Sequence, residues 1–160
     1  PIVIGNWKEV HKGRIAVKHL MEQCPQFTFR PLNVYPDANG IDNWNIRKQD
    51  SYLQSDIFLQ LSVHEGNSYA TLDALLCGIP VVSSDVGLFY KDVPEDCFVK
   101  MDWKRMNDVQ YVEEKLKYAW DHKEELGRKG RKWYLANCAF DDWKKKMRNF
   151  MYEGSCAYIL

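Results

Sequence analysis

A polar turn and an amphipathic segment lie between two short apolar runs near the middle of the chain, and this arrangement constrains the fold more than any other. The run at 57–61 is typical of a strand buried on both faces. A second, β-branched run lies at 79–82. Gly78, just before this run, and Pro80 within it together predict the end of a helix. Between the runs, apolar residues recur at helical spacing: Tyr69, Leu72, Leu75 and Leu76. The stretch predicts a βαβ unit with a right-handed crossover, whose turn at 64–68 opens where parallel sheets bind ligands.

Strands and helices alternate along most of the chain. Buried-strand runs occur at 2–4, 27–29 and 97–101, and a helix follows the first, with Ile15, Val17, Leu20 and Met21 as its apolar residues. Residues 31–47 are rich in Pro, Asn and Asp and predict a loop, and 49–55 predict one or two helical turns. The alternation predicts an α/β fold: a single Rossmann-like open parallel sheet with helices on both faces.

The last third of the chain is predicted to be helical. Asn107 is a suitable N-cap for a helix over 108–126, and Gly127 and Gly130 are expected to interrupt the pattern. Asp141 is predicted to cap a final helix. The aromatic residues at the end of the chain are expected to pack on a missing domain: Trp143, Phe150 and Tyr152.

Composition excludes several classes of protein. The 160 residues suit one domain, taken as 1–160, and 46% hydrophobic residues suit a packed core. Lys+Arg and Asp+Glu both number 22, which argues against a nucleic-acid binder. No apolar run reaches the roughly 20 residues of a membrane helix. Five cysteines without a CxxC pair fit a reducing, cytoplasmic setting. The start at Pro1, directly on a strand, predicts a piece of a longer protein.

Two predicted helix starts at the same edge of the sheet carry residues suited to a diphosphate. Asn67 and Ser68 stand at one start, where unpaired amides and the helix dipole attract phosphate. Lys12 and Arg14 flank Gly13 at the other, where cations oppose the dipole unless an anion lies between them. The simpler alternatives stay open: the first pair only caps its helix, and the two cations only reach solvent.

Two carboxylates lie near the same turn. Glu65, at the mouth of the sheet, suits hydrogen bonds from sugar hydroxyls, or it only favours the helix dipole. Asp73 lies in the second turn of the helix between apolar neighbours, so it is expected to be half-buried and to need partners.

Residues 65–87 closely resemble the signature of GT-B fold, family 4-type retaining glycosyltransferases. That signature is E-G-x-x-x-x-x-x-E-A-x-x-x-G-x-P-V-V-x-x-x-x-G, and this chain reads EGNSYATLDALLCGIPVVSSDVG. Three further segments are similar to the family and fall in its order: HKG at 11–13, DIFLQLSVHEG at 56–66 and AFDDWKKKM at 139–147. The resemblance implies the carboxyl-terminal, nucleotide-sugar-binding half of a two-domain enzyme, without its amino-terminal acceptor domain.

The resemblance also implies roles for individual residues. Glu65 would contact the donor sugar, Asp73 stands at the position that holds the ribose hydroxyls, and Lys12 matches the pyrophosphate lysine. Asn6 stands where the family has an arginine, and the nearby cations that would compensate are Arg14 and Lys8. Contacts to the sugar and phosphate are implied for Gly66, Asn67 and Ser68.

Sugar transfer with retention, from a nucleotide diphosphate sugar to a glycan, lipid or protein acceptor, is the activity that the resemblance implies. No D-x-D motif occurs, so a metal-independent route without a cofactor is expected. The domain alone should bind the donor without turnover. Trp44 or Tyr35 is a candidate to stack on the base, and the alternative that such a loop aromatic only packs stays open. The basic run at 127–132 suits contact of the parent protein with the cytoplasmic membrane face, although nearby acids favour a solvated helix face.

Two alternative functions stay open. The departures at Asn6, where the family has arginine, and at Asp73, where it has the longer glutamate, fit a degenerate, non-catalytic GT-B-like module kept for scaffolding or partner binding. Another α/β nucleotide binder, such as a dehydrogenase, is disfavoured because no G-x-G-x-x-G follows the first strand and no G-x-x-x-x-G-K-[ST] occurs.

Overall fold

The computed structural model describes residues 1–32 and 48–138, together with 141, 144–145 and 147–149. Five parallel strands form one sheet in the order β2-β1-β3-β4-β5. The strands are β1 (Ile2–Gly5), β2 (Thr28–Pro31), β3 (Ile57–Gln60), β4 (Val81–Ser84) and β5 (Val99–Met101). In the centre of the sheet, Phe58 of β3 is in register with Ile4 of β1 and with Val81 of β4. The predicted open parallel sheet is confirmed.

Helices cover both faces of the sheet. They are α1 (Arg14–Gln23), α2 (48–53), α3 (Tyr69–Leu76), α4 (Leu88–Lys91), α5 (Val109–Asp121) and α6 (Lys123–Asn137). Adjacent strand residues serve opposite faces: Val3 packs in a core with α1 and α5, whereas Ile4 packs in a core with α2, α3 and α4. All four side chains of β3 are buried, which explains why this strand is apolar along nearly its whole length.

The carboxyl-terminal helices differ from their prediction. The helix break lies at His122, and Gly127 and Gly130 lie inside α6. A methyl group at 127 would overlap the Gly78 carbonyl oxygen, and one at 130 would lie 2.7 Å from Leu75 Cδ2. These glycines therefore allow a close approach to α3 and the turn after it, which sequence periodicity does not reveal.

The N-cap of α5 is Asp108, whose Oδ1 accepts a hydrogen bond from the Tyr111 N–H at 3.0 Å. The prediction of Asn107 was wrong by one residue, because both residues suit an N-cap and only the backbone geometry distinguishes them. Among the described residues, no helix combines the length and apolar character needed to cross a membrane. The end-of-chain aromatics Trp143, Phe150 and Tyr152 lie outside the described residues, as do Tyr35 and Trp44.

The strand order fixes the position of a crevice. β2 lies on one side of β1 and β3 on the other, so the connections after β1 and β3 leave the sheet in different directions. In open α/β sheets, this reversal opens a ligand crevice at the carboxyl ends of the two strands. Gly13, at the start of α1, has φ +84°, and a methyl group there would overlap Leu61 Cβ, just after β3. The two segments that border the crevice thus pack directly on each other.

Candidate functional site

A cavity of about 290 Å³ occupies the crevice between the ends of β1 and β3, and we call it the β1/β3 cavity. Its wall combines side chains from the segment after β1, from β3 and the turn after it, and from the start of α2. The polar side chains of the wall are Asn6, Lys12, Lys48, Gln60, Ser62, Glu65, Asn67 and Ser68. The predicted turn and the predicted first helix start therefore meet at one site, although more than 40 residues separate them in the sequence.

Glu65 is held between a hydroxyl group and a cation. The Ser62 hydroxyl donates to Glu65 Oε1 at 3.0 Å, and Lys12 Nζ lies 3.7 Å from the same oxygen. The side chains of Lys12 and Glu65 are 20% and 17% exposed, so both charges are only partly hydrated. A partly hydrated cation beside a fixed carboxylate provides one donor and one acceptor group for a polyhydroxylated anion.

The peptide between Glu65 and Gly66 is supported by Gly87, the residue before α4. Gly87 has φ +59° and ψ −133°, a conformation that only glycine adopts readily. A methyl group at 87 would overlap the Gly66 carbonyl oxygen and lie 2.9 Å from the Glu65 carbonyl oxygen. Gly66 itself is exposed, with nothing within 4 Å of a methyl group at its position. Gly87 thus fixes the backbone that presents the Glu65 carboxylate.

The amino terminus of α3 faces the cavity without a side-chain cap. Ser68 occupies the N-cap position, but its side chain makes no capping hydrogen bond. Its hydroxyl pairs instead with the Thr71 hydroxyl at 2.6 Å, and Thr71 donates to Gln60 Oε1. The alternative in which the Ser68 side chain caps the helix is wrong. The first-turn amides of Tyr69 and Ala70, both in the cavity wall, remain suited to an anion.

Two amide atoms in the cavity wall are buried without a hydrogen-bond partner among the described residues. They are Asn6 Oδ1, an acceptor, and Gln60 Nε2, a donor. Unpaired buried polar atoms are rare, and at a cavity they suit a ligand or water. Gln60 and Ser62 were not among the residues predicted from the sequence. The available signal was a polar residue, Gln60, in a run that is otherwise apolar.

Asp73 lies beside a second cavity of about 490 Å³ rather than in the wall of the first. Its Oδ2 is 2.5 Å from Lys48 Nζ, and Lys48 lines both cavities. Burial, with a smaller contribution from the negative charge of Asp73, raises the pKa of the Tyr52 phenol and of the Cys77 thiol. Within the described part of its wall, the second cavity therefore presents neutral side chains around the Lys48–Asp73 ion pair at neutral pH.

The remaining predicted residues take different places. Arg14 is exposed and does not line either cavity, whereas Asn67 is exposed but lies in the wall of the first. A stacked pair of imidazole rings, His11 and His64, joins the two segments that carry Lys12 and Glu65, with centroids 4.9 Å apart. The Val63 N–H also donates to the His11 carbonyl oxygen at 2.9 Å. These contacts help to keep the lysine and the glutamate in their relative positions.

The sheet, its strand order and the cavity at the reversal point define a Rossmann-like open parallel α/β domain, which matches one half of a GT-B fold. Comparison with solved structures supports this class. Sucrose-phosphate synthase from Thermosynechococcus elongatus superposes with a TM-score of 0.77 at 18% identity, over 98% of this chain and 46% of that chain. The present chain thus spans less than half of that protein.

Two further solved structures share the fold. The carboxyl-terminal domain of LpcC, a glycosyl transferase group 1 family protein from Francisella tularensis, gives a TM-score of 0.54 at 14% identity, over 87% of this chain and 86% of that chain. The pneumococcal O-GlcNAc transferase GtfA, in complex with UDP and GlcNAc, gives a TM-score of 0.62 at 13% identity, over 94% of this chain and 35% of that chain. No family model matches the chain, and no curated protein matches its sequence significantly. At these identities the likeness is one of fold.

Proposed function

We propose that this chain is the donor-binding domain of a retaining glycosyltransferase, which transfers a sugar from a nucleotide diphosphate sugar to a glycan, lipid or protein acceptor. The observation that carries the proposal is the meeting of Lys12 and Glu65 at 3.7 Å in the β1/β3 cavity, beside the uncapped start of α3. The solved complex of GtfA, which shares the fold, contains UDP and GlcNAc. In this proposal the donor is a substrate, and an acceptor domain completes the enzyme.

Each part of the donor would meet side chains or backbone groups of suitable chemistry in the cavity walls. Lys12 and the first-turn amides of α3 would bind the diphosphate, since both present positive charge to the cavity. Glu65, fixed by Ser62, would accept hydrogen bonds from sugar hydroxyls. The second cavity, with Asp73 at its edge, would take the nucleoside. Stabilisation of the leaving diphosphate by a cation and a helix terminus is a recognised catalytic contribution, and we propose that the reaction uses no metal.

Thermal unfolding with UDP, GDP, ADP and their sugars, with and without magnesium, tests the proposal. We expect one base to raise Tm by a few degrees, because a ligand at about ten times its Kd adds roughly 1.4 kcal/mol. The shift should not depend on magnesium. In Glu65→Gln, which removes the charge but keeps the size, the nucleoside diphosphate should retain its shift and the attached sugar should add nothing. An unchanged Tm with every ligand at millimolar concentration would contradict the proposal.

A second candidate is a degenerate, non-catalytic GT-B-like module that serves scaffolding or partner binding. Two observations favour this candidate. Asn6 brings no charge to the cavity where the resemblance implies an arginine, and the Asp73 carboxylate is already in an ion pair with Lys48. The two candidates differ in what restoring a cation at position 6 would do.

Asn6→Arg is therefore expected to strengthen nucleoside diphosphate binding by about fivefold to tenfold if the site is a donor site, because it adds a charge-assisted hydrogen bond. Isothermal titration calorimetry measures the change. Asn6→Met is the matched control, with a long apolar side chain and no charge, and should not strengthen binding. Absence of binding both before and after the arginine substitution would favour the scaffold candidate.

A further inference from the structure

Lys48 stands at the junction of the two cavities. It lines the β1/β3 cavity together with Lys12 and Glu65, and it lines the second cavity together with Asp73. Its Nζ lies 2.5 Å from Asp73 Oδ2, and the two side chains are 23% and 34% exposed. A ligand that extends from one cavity into the other would pass this ion pair.

A second contact between α2 and α3 fixes the backbone that carries Lys48. Tyr52 follows Lys48 by one helical turn, so both side chains lie on one face of α2. The Tyr52 hydroxyl donates to the Ala70 carbonyl oxygen at 2.7 Å, and Asp73 follows Ala70 by about one turn of α3. Tyr52 is buried and stacks on Phe58 at 6.2 Å. The face of α2 that carries Lys48 is thereby anchored on α3. Lys48 thus differs from a lysine on a freely solvated helix face.

Among the described residues that line the two cavities, the charged side chains balance in pairs. Lys12 lies beside Glu65, and Lys48 lies beside Asp73, so the four charged side chains sum to zero. The diphosphate of a nucleotide sugar brings about two negative charges at neutral pH. Lys12 compensates one of them and Asn6 none. Within the described part of the β1/β3 cavity wall, the other cation is Lys48.

We propose that Lys48 is the second diphosphate-binding cation of the donor site. Without ligand it pairs with Asp73; when the diphosphate binds, Lys48 turns to the phosphate oxygens and Asp73 becomes available to the ribose hydroxyls. The inference rests on the proposed function and deepens it, since it assigns the missing cation to a residue from a different element of the chain. Lys48 then couples phosphate binding in the first cavity to nucleoside binding in the second.

Calorimetric titration of the 160-residue chain with inorganic pyrophosphate tests the inference without knowledge of the base or sugar. Lys48→Met should weaken pyrophosphate binding by about tenfold, and Lys48→Arg should retain most of it, because one charge-assisted contact is lost or kept. Asp73→Asn should strengthen binding by several-fold, since the competing carboxylate charge is gone. The matched control is Lys117→Met, which breaks the 2.6 Å ion pair with Glu113 on α5, outside the walls of both cavities, and should leave the affinity unchanged.

The outcomes separate the inference from the proposed function. If Lys12→Met weakens pyrophosphate binding and Lys48→Met does not, the Lys48–Asp73 pair is structural, and the inference is overturned while the proposed function stands. If the unaltered chain binds neither pyrophosphate nor any nucleotide of the panel, both fail. If Lys48→Met proves unfolded by circular dichroism, the Asp73→Asn titration decides, and an unchanged or weaker affinity overturns the inference.

Discussion

Lys12→Met is expected to weaken binding of the nucleoside diphosphate by about thirtyfold to a hundredfold, or about 2–3 kcal/mol. Two effects add. The variant loses the cation proposed to contact the diphosphate, and it leaves the Glu65 carboxylate, 17% exposed, beside the proposed phosphate position without the ammonium group 3.7 Å away. Isothermal titration calorimetry of the chain with the nucleotide that raises Tm gives both Kd values.

The matched control for this prediction is Lys18→Met. Lys18 lies on α1, as an exposed residue outside the cavity wall, so the substitution removes the same charge from the same part of the chain. We expect a change in Kd of less than about twofold, as for a screened surface charge. Equal losses in the two variants would show that Lys12 acts only through the net charge of the domain.

Gly87→Ala is expected to lower the free energy of unfolding by about 3 kcal/mol, from backbone strain at φ +59° together with steric overlap. For a chain of this size, this corresponds to a decrease in Tm of about 6–12 °C. The added methyl group meets the Gly66 carbonyl oxygen, which belongs to backbone and cannot rotate away as a side chain would. The same peptide presents Glu65. We therefore expect that, in this variant, the donor sugar no longer adds to the Tm shift given by the nucleoside diphosphate.

Gly66→Ala is the control on the other side of the same contact. Position 66 has no positive φ, and a methyl group there meets no atom within 4 Å, so the stability should change by less than about 0.5 kcal/mol. Thermal and urea unfolding of the two variants measure the difference. A Gly87→Ala variant as stable as Gly66→Ala would show that the segment around 87 relaxes freely, and that Gly87 does not fix the Glu65 peptide.

The βαβ unit from β3 to β4 was predictable because each of its signals is local. The apolar run before Glu65, the helical spacing of Leu72 and Leu75, and the stop at Gly78 all lie within 30 residues, and the structure confirms each element. The meeting of Lys12 with Glu65 also followed from sequence, because parallel strands bring their carboxyl ends to one edge.

The features that sequence did not predict depend on contacts between distant elements. Lys48 follows a stretch of sequence rich in Pro, Asn and Asp, and nothing in its sequence neighbours indicates that Tyr52 anchors its helix on Ala70. Gly127 has the appearance of a helix break, yet it marks the close approach of α6 to Gly78. In both cases a residue is explained by a neighbour that the chain reaches only after folding, so local propensity predicts the wrong role or none.

The close approach of α6 to the end of α3 has a consequence for the entropy of binding. α3 is fixed at its carboxyl end by the contact of Gly127 with Gly78, and at its amino end by the hydrogen bonds from Tyr52 to Ala70 and from Thr71 to Gln60. A helix held at both ends loses little conformational freedom when an anion binds its first turn. If an anion binds there, as proposed, the cost of ordering the helix falls on folding rather than on association, and less of the contact energy with a phosphate group would be lost to ordering.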